Sequence, residues 1–364
     1  MNFGILSRKQ ENSKEFYLKT IVYPSQNQIT VEEMDAPVHG EEDILVRSLY
    51  SMVSAGTELR MLSGNDFPMV PGYSVIGEVM DVGAKVSGYK VGDLVSGRSC
   101  KRFIPGTDFC CGGHMATQVL PTLGEDRAVV LPSGASPLDY VISEISSISL
   151  RGVEGAAVQA EETAVVIGLG LIGAFSAAWL HARGCYVVAT DLEEARLNRA
   201  VGCWAHEVVN GRDADAGDRI LAYLNGGADI VVEGSGSPQG AMLAYSLVRG
   251  TPRGNAYVEG STYRGETIGS VANNWPRVVM QASYTQEISI HPHGFYPGEG
   301  VTILTPADRS LEDRQKAVRA ISQGQIKAED FIDRIASVDE APDAYAALRD
   351  DKNSNYSLIF DWSK

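Results

Sequence analysis

The sequence predicts an α/β protein in which a β-rich N-terminal domain precedes a doubly wound parallel sheet. Short β-branched runs separated by Gly and Pro fill residues 1–137, which is typical of a barrel or sandwich-like domain. From residue 138 onward, segments of helical periodicity alternate with short apolar strands, which indicates βαβ units and a sheet covered on both faces. At 364 residues the chain is long enough for about two domains.

The individual elements follow from the same patterns. In the first domain we expect strands at 21–23, 29–31, 44–50, 75–82 and, after a turn, 88–95. In the second, the periodicity predicts helices at 138–158, 174–183, 193–201, 213–224 and 239–247, alternating with strands at 163–167, 185–190, 207–209, 228–233 and 256–259. Two late helices, 314–323 and 342–348, and a strand at 357–361 complete the prediction. We assign 1–137 to the first domain and 138–290 to the parallel sheet, with 291–364 returning in part to the first domain.

The charge balance excludes some partners. The chain has 46 acidic and 31 basic residues, a formal net charge of -15, so a polyanion such as nucleic acid would be repelled. No run of about 18 apolar residues predicts a transmembrane helix, and residues 1–20 do not resemble a signal peptide. We therefore expect a cytoplasmic protein that does not bind membranes or nucleic acid.

A glycine-rich turn gives the first indication of function. Gly168, Gly170 and Gly173 form a G-x-G-x-x-G pattern with Leu171 and Ile172, between an apolar strand and a helix. The first glycine allows the tight turn, the second lets the backbone approach a pyrophosphate, and the third lets the helix pack on the strand. The helix N-terminus then carries free N–H groups for that anion. This context predicts a Rossmann dinucleotide site rather than a turn without a ligand.

The residues after the next strands extend this site. Asp191 lies where an acid would accept hydrogen bonds from the adenosine ribose and repel the 2′-phosphate of NADP, so we expect NAD as the cofactor. Arg196 follows nearby and could cover the adenine. Ser235, Glu259 and Gly260 come at strand ends, where ligands of such sheets bind, although either segment could be a plain turn.

Three linked strings, at 71–79, 82–83 and 89–95, resemble the GroES-like domain of medium-chain dehydrogenases/reductases. The resemblance covers almost the whole chain. It implies a GroES-like catalytic domain beside the Rossmann domain, an active site in the cleft between them, and a homodimer or homotetramer built through the Rossmann domain.

The resemblance also implies where a catalytic zinc would lie. Its usual Cys, His and Glu ligands are replaced by Ala55, Tyr73 and Ser74, and Ala and Ser are not useful ligands, so we expect no metal. Cys100, Cys110 and Cys111 are too few for the family's structural zinc lobe. They are either free thiols or, with His114, an unusual metal site. The strings 54–58 and 70–73 are similar to a zinc-independent subgroup that includes hydroxyethyl bacteriochlorophyllide dehydrogenase, which favours oxidation of an alcohol to a ketone.

Without the metal, side chains must handle the hydroxyl proton and the developing charge. Tyr73 either acts as the acid/base or only fills the vacated pocket. Thr57 keeps the hydroxyl that touches the substrate oxygen in the zinc enzymes, and Glu58 is either catalytic or structural. Arg60 either stabilises an alkoxide or forms a salt bridge with Glu58. His114 is expected to be a surface residue. His291 and His293 could bind a metal ion if they lay on an extended strand, but the proline between them favours a loop.

Together these features predict a zinc-independent, NAD-dependent alcohol dehydrogenase acting on a secondary alcohol such as a sugar or cyclitol. Two alternatives remain open. One is a zinc-independent NAD(P)H-dependent reductase of enones or quinones, against which Asp191 argues. The other is a non-catalytic NAD-binding protein. The expected partner is a small-molecule alcohol or ketone.

Overall fold

The computed structural model describes residues 17–98, 112–249, 275–289, 301–306, 308–351 and 356–364. The strands within these ranges are β1 Tyr17–Val22, β2 Thr30–Asp35, β3 Asp43–Met52, β4 Val75–Val82, β5 Leu94–Gly97, β6 Thr117–Pro121, β7 Val129–Val130, β8 Thr163–Ile167, β9 Tyr186–Asp191, β10 Glu207–Asn210, β11 Ile230–Glu233, β12 Arg277–Met280, β13 Thr302–Leu304, β14 Arg334–Ser337 and β15 Leu358–Asp361. The helices are α1 Ala55–Leu62, α2 Ser143–Gly155, α3 Leu171–Ala182, α4 Glu194–Ala200, α5 Ala216–Tyr223, α6 Pro238–Leu247, α7 Leu311–Ser322 and α8 Ala341–Asp350.

The N-terminal part of the chain forms a mainly antiparallel sheet. Its strands follow the order β14-β15-β3-β4-β5-β7, with β6 paired to β3, and β1 pairs separately with β2. The burial of β3 alternates in places but is deep at both ends, because this strand lies between β4 and β15 in the middle of the sheet. Since β15 pairs antiparallel with β3, the C-terminal segment enters this sheet.

The central part of the chain forms a six-stranded parallel sheet in the order β10-β9-β8-β11-β12-β13. The chain moves outward from β8 in one direction, then returns and moves outward in the other, which is the doubly wound arrangement. The carboxyl ends of β8 and β11 therefore meet at the point where the winding reverses, the usual ligand position in such sheets. The predicted fold class is confirmed.

Some elements differ from the sequence prediction. The strands β12 and β13, which have four and three residues, were not predicted. The predicted strand at 256–259 lies outside the described residues. Because β13 belongs to the parallel sheet, that sheet continues past residue 290, and the domain boundaries stay predictions. The helix α1 was also unpredicted, since Gly56 and Thr57 in its first turn are poor helix formers.

One hydrophobic cluster joins the two sheets. It contains Met52 and Ile76 from the antiparallel sheet together with Val166, Phe175 and Trp179 from the parallel domain. The helices α2 and α7 pack side by side within the same layer. This shared core fixes the walls of the cleft between the sheets. Within the described ranges, none of the helices combines the length and the apolar character that a membrane crossing would require.

Candidate active-site cleft

A cleft of about 1340 Å³ lies between the two sheets. It begins at α1 and Tyr73 and extends past the glycine turn to the carboxyl ends of β9 and β11. The predicted residues that line it are Thr57, Arg60, Tyr73, Gly168, Gly170, Leu171, Ile172, Asp191, Arg196 and Ser235. The predicted residues Glu259 and Gly260, like Cys100, Cys110, Cys111, His291 and His293, lie outside the described residues.

The glycine turn has the close contacts that its sequence predicts. Gly168 has a φ of +83°, and a Cβ there would lie 2.7 Å from the Cα of Ser235. A Cβ on Gly173 would lie 1.8 Å from the carbonyl oxygen of Gly168, so α3 can pack on β8 only because this residue is glycine. At Gly170, the residue before α3, a Cβ would meet nothing within 4 Å. The backbone there is open to the cleft.

Asp191 fastens this turn to the end of β9. Its Oδ2 accepts a hydrogen bond of 2.5 Å from the Leu169 amide, and its Oδ1 accepts one of 2.9 Å from the Glu193 amide. An Nη1 of Arg196 lies 3.5 Å from Oδ2. The carboxylate is therefore fixed in position and faces the cleft beside one cation.

Near Asp191 lie three buried polar atoms that have no hydrogen-bond partner within the described ranges. They are the hydroxyl of Thr190, the Nε of Arg196 and the hydroxyl of Tyr356, and all three residues line the cleft. Leaving such groups unsatisfied costs free energy, so a ligand with hydroxyl groups would be favoured here. Sequence reasoning missed Tyr356, which follows a segment without a motif and showed only as the residue before a predicted strand.

Glu233 shapes a second turn that lines the cleft. This carboxylate ends β11, is completely buried, and accepts hydrogen bonds from the amides of Ser235 at 2.9 Å and Gly236 at 3.1 Å. The hydroxyls of Ser235 and Tyr284 donate to it as well. Burial, and then the bond to Glu233, raise the pKa of Tyr284, which therefore stays protonated as a donor. The arrangement holds Ser235 at the wall of the cleft.

Tyr73 stands at the other half of the cleft. Its hydroxyl donates a hydrogen bond of 2.5 Å to the Ser54 Oγ, and the Thr57 hydroxyl lies close enough to interact with it. Burial raises the pKa of the Tyr73 phenol, while the bond to Ser54 and the charge of Arg309 oppose this shift. The phenol is thus a proton donor at neutral pH, with a cation beside it.

Glu58 lies behind the cleft rather than in it. It is completely buried and accepts hydrogen bonds from the Ser54 amide at 2.7 Å, from His114 Nε2 at 3.0 Å, and from the Tyr345 hydroxyl. Arg60 is exposed toward the cleft, and no ion pair joins it to another residue in the described part of the chain. The predicted alternative of a Glu58–Arg60 salt bridge is therefore wrong, because residues two apart on a helix point in different directions.

The expectation for His114 was also wrong. The side chain is completely buried, and its Nδ1 lies 2.7 Å from the Ser51 Oγ. A Cβ on Gly72, which has a φ of +87°, would lie 2.6 Å from the imidazole. The ring is packed against a backbone that only glycine can provide. The two glycines before His114 were the available signal of such close packing.

A buried ionic cluster adjoins Tyr73, and sequence reasoning missed it entirely. Glu144 on α2 accepts hydrogen bonds from Arg309 Nε at 3.0 Å and from Arg314 Nε at 2.6 Å. Burial alone would raise the pKa of Glu144, but the two arginines hold it below its usual value. The guanidinium carbon of Arg309 lies 5.0 Å from the centre of the Tyr73 ring. No local motif marks Arg309, which lies in a loop far from Tyr73 in the sequence.

Two family models match the two parts of this chain. Residues 40–133 match the model of the alcohol dehydrogenase GroES-like domain, and residues 172–286 match that of a zinc-binding dehydrogenase. The chain belongs to the medium-chain dehydrogenase/reductase superfamily. The predictions of this superfamily and of an oxidoreductase are confirmed.

Named relatives are similar at moderate identity. Sorbitol dehydrogenase of Bacillus subtilis is 25% identical over 260 residues, which are 64% of this chain and 72% of the relative. A probable D-xylulose reductase A of Emericella nidulans is 27% identical over 310 residues, 78% of each chain. The crystal structure of 2R,3R-butanediol dehydrogenase from Bacillus subtilis superposes with a TM-score of 0.79 at 18% identity, over 94% of this chain and 99% of that one.

The residues at the family's catalytic zinc position do not fit a metal ion. The side chain of Ala55 has no atom that can bind a metal ion. The Ser74 hydroxyl donates a hydrogen bond of 3.2 Å to the Val141 carbonyl, and the Tyr73 hydroxyl donates one to Ser54. Zinc in a catalytic site takes three His, Cys or carboxylate ligands. Across the described ranges, three such side chains do not come together anywhere in a metal-binding group.

Proposed function

We propose that this protein is a zinc-independent, NAD-dependent dehydrogenase that oxidises the secondary hydroxyl of a sugar, cyclitol or similar polar metabolite to a ketone. The observation that carries the proposal is the position of Tyr73, a protonated phenol in the cleft where zinc-dependent members place a metal ligand. The similar sorbitol dehydrogenase and xylulose reductase support a polyol-like substrate.

The cleft fits a nicotinamide dinucleotide. The open backbone at Gly170 and the N-terminus of α3 would hold the pyrophosphate, and Asp191, Thr190 and Tyr356 would bind the adenosine ribose. Ser235 stands at the turn next to the glycines, toward the nicotinamide half. When bound, this coenzyme supplies the hydride acceptor of the reaction.

The protein's own side chains would move the proton. In ketone reduction the Tyr73 phenol donates its proton to the substrate oxygen, and in alcohol oxidation the phenolate takes the proton back. Thr57 lies beside it to orient that oxygen. Arg60 has no ion-pair partner among the residues that the structure describes, and it offers a cation to other polar groups of the substrate. Glu58 does not line the cleft, but it accepts a hydrogen bond from the Ser54 amide. It thereby positions Ser54, whose hydroxyl accepts the hydrogen bond from Tyr73.

A substitution of Tyr73 tests this assignment. In Tyr73→Phe the ring still fills the pocket but the proton donor is gone, so kcat should fall by about 100-fold or more. Wild-type protein, freed of metal by a chelator, should keep its activity with NAD on a panel of polyols, cyclitols and sugars. Coenzyme reduction measured by absorbance provides the assay, and Tyr50→Phe, a tyrosine outside the lining of the cleft, is the control.

The outcomes separate the alternative functions. Turnover of enones or quinones with NADPH, and none of alcohols, would favour the reductase. Tight NAD binding with no turnover of any alcohol would favour a non-catalytic protein. Full activity of Tyr73→Phe, or activity that returns only with added zinc, would contradict our proposal.

Asp191 should set the choice between NAD and NADP. Its carboxylate would repel a 2′-phosphate. It also forms an ion pair with Arg196, whose Nη1 lies 3.5 Å from the Asp191 Oδ2. In Asp191→Ser, Arg196 becomes free to meet the phosphate, so we expect the ratio of kcat/KM for NAD over NADP to fall at least tenfold. Arg212→Gln, which removes an exposed cation paired with Glu193, is the control. An unchanged ratio would contradict the assignment of Asp191.

The family resemblance further favours a homodimer or homotetramer built through the parallel sheet. Light scattering on the purified protein measures the oligomer directly.

A further inference from the structure

We infer that Arg309 supplies the fixed positive charge that a metal ion supplies in zinc-dependent members, and that its guanidinium binds the reacting oxygen of the substrate. This inference rests on the proposed function. It also explains why the residues at the zinc position can lack side chains that bind a metal ion.

The position of Arg309 is the first support. It lies just before α7, lines the cleft, and places its guanidinium carbon 5.0 Å from the centre of the Tyr73 ring. Tyr73 replaces a metal ligand, so this cation stands beside the vacated metal pocket. A guanidinium over an aromatic face is favourable in itself, and it keeps the two groups together.

The second support is that Arg309 is held rigidly. Its Nε donates a hydrogen bond of 3.0 Å to Glu144, and its Nη1 donates one of 2.6 Å to Asp308. Only 7% of the residue is exposed. A donor that is fixed before the reaction stabilises developing charge without the cost of reorganisation. Glu144 also accepts a hydrogen bond from Arg314, so its carboxylate is held by two arginines.

The third support is an unused donor. The Nη2 of Arg309 is buried and has no hydrogen-bond partner among the described residues. The other two nitrogens donate to Glu144 and Asp308, so Nη2 is the guanidinium nitrogen that lacks an acceptor. A buried guanidinium nitrogen without an acceptor is unfavourable, and an anionic or carbonyl oxygen is the acceptor that it binds best.

Two side chains handle the proton and the developing charge of the reaction. During oxidation the hydroxyl proton passes to the Tyr73 oxygen, the C–H electron pair leaves as hydride to the coenzyme, and the oxygen lone pair completes the C=O bond. Arg309 neither gains nor loses a proton. Its Nη2–H donates to the oxygen as negative charge builds on it, and its charge also favours the phenolate of Tyr73.

Arg309→Gln tests this role through two readouts. Because one preorganised donor to a developing charge is lost, we expect kcat to fall about 100- to 1000-fold, with a smaller change in KM for the coenzyme. Because a cation beside the phenol is lost, the rise of the oxidation rate with pH, which follows ionisation of Tyr73, should move to higher pH. Small guanidinium compounds at millimolar concentration should restore part of the activity of Arg309→Ala, whose vacated pocket can admit them.

A direct titration keeps the test independent of turnover. The ultraviolet difference spectrum between wild type and Tyr73→Phe reports ionisation of Tyr73 alone, and the same difference in the Arg309→Gln background should show a higher Tyr73 pKa. Should Arg309→Gln not fold, Arg309→Lys, which keeps the charge but loses the Nη2 donor, should titrate like wild type while kcat still falls.

The matched control is Arg277→Gln. Arg277 is likewise buried and paired, with Glu162, but it lies outside the cleft lining, so this variant should lose stability while keeping kcat and the pH profile. Absence of wild-type turnover would count against the proposed function alone. An unaltered Tyr73 titration in Arg309→Gln, or a kcat loss no larger than that of Arg277→Gln, would overturn the role of Arg309.

Discussion

Glu58 acts from behind the cleft, although its place in the sequence suggested a residue of the active site. Three donors converge on its two oxygens: the Ser54 amide, His114 and the Tyr345 hydroxyl. Burial and then the charge of Glu58 raise the pKa of Tyr345, which therefore remains a hydrogen-bond donor. The network fixes α1, and through Ser54 it fixes the partner of Tyr73.

The variant Glu58→Gln should therefore be a stability mutant. The side-chain NH2 of the new glutamine would face a hydrogen-bond donor, and it cannot accept that hydrogen bond. The free energy of unfolding should therefore fall by about 2–4 kcal/mol. Urea unfolding measures this loss. Glu78→Gln, which removes an exposed carboxylate paired with Arg47, should change stability by less than about 0.5 kcal/mol. A stable Glu58→Gln with greatly reduced kcat would instead place Glu58 in the reaction.

At this scale the sequence predicted residues that belong to local patterns. The glycines of the turn and Asp191 follow a fixed spacing after their strands, because the chemistry of the ligand and the strand geometry act within a short segment. Arg309, Tyr356 and the burial of His114 depend on contacts between distant segments. Propensity and periodicity carry no information about such contacts.

The glycine turn makes separable demands on folding and on binding. Gly173 is closed in by the Gly168 carbonyl, whereas Gly170 is open toward the cleft. Gly173→Ala should therefore shift α3, lower stability and weaken coenzyme binding together. Gly170→Ala should leave stability nearly unchanged and weaken only the binding, because its Cβ would meet the pyrophosphate.

Two measurements separate the effects: thermal unfolding without ligand, and coenzyme affinity by protein fluorescence. Gly217→Ala is the matched control, since it lies within α5 with no atom near its Cβ, and it should be neutral or up to about 1 kcal/mol stabilising. Unaltered coenzyme affinity in Gly170→Ala would argue against the pyrophosphate position.

Elements of five or more residues with a clear period were predicted well, as the match at β4 and β8 shows. The strands β12 and β13 are short and become strands because a neighbouring strand pairs with them. Pairing within the sheet, which the sequence does not show, identifies them as strands.

At the scale of the whole molecule, one carboxylate holds three parts together. Glu144 on α2 binds Arg309 and Arg314, and Arg314 also donates to the carbonyls of Arg127 at 2.8 Å and Ser96 at 3.4 Å. These contacts join the antiparallel sheet, α2 and α7 at the base of the cleft. Ionised Glu144 therefore adds to the shared hydrophobic core in holding the two sheets in position.

This arrangement predicts a pH dependence of stability. Because its neighbours depress the pKa of Glu144 in the folded state below the usual value of 4.5, the stabilisation is present above that pH and is lost as the pH falls through the lower, folded-state pKa. Glu144→Gln should be clearly less stable than wild type at pH 7, and the difference should shrink in acid. Urea unfolding at several pH values measures it.

The control is Glu312→Gln, an exposed carboxylate on α7, which should stay close to wild type at every pH. A wild-type advantage over Glu144→Gln that persists undiminished in strong acid would show that ionisation of Glu144 is not its source.

The pairing of β15 with β3 has a consequence for synthesis. On the ribosome, β3 emerges early, and β6 soon pairs with its residues 43–47, yet β15, which pairs with residues 50–52, is translated after the entire parallel sheet has been made. Domains tend to fold as they emerge, so the parallel sheet can form first while residues 50–52 of β3 still lack one neighbouring strand. We therefore expect the antiparallel sheet to be completed after the parallel one.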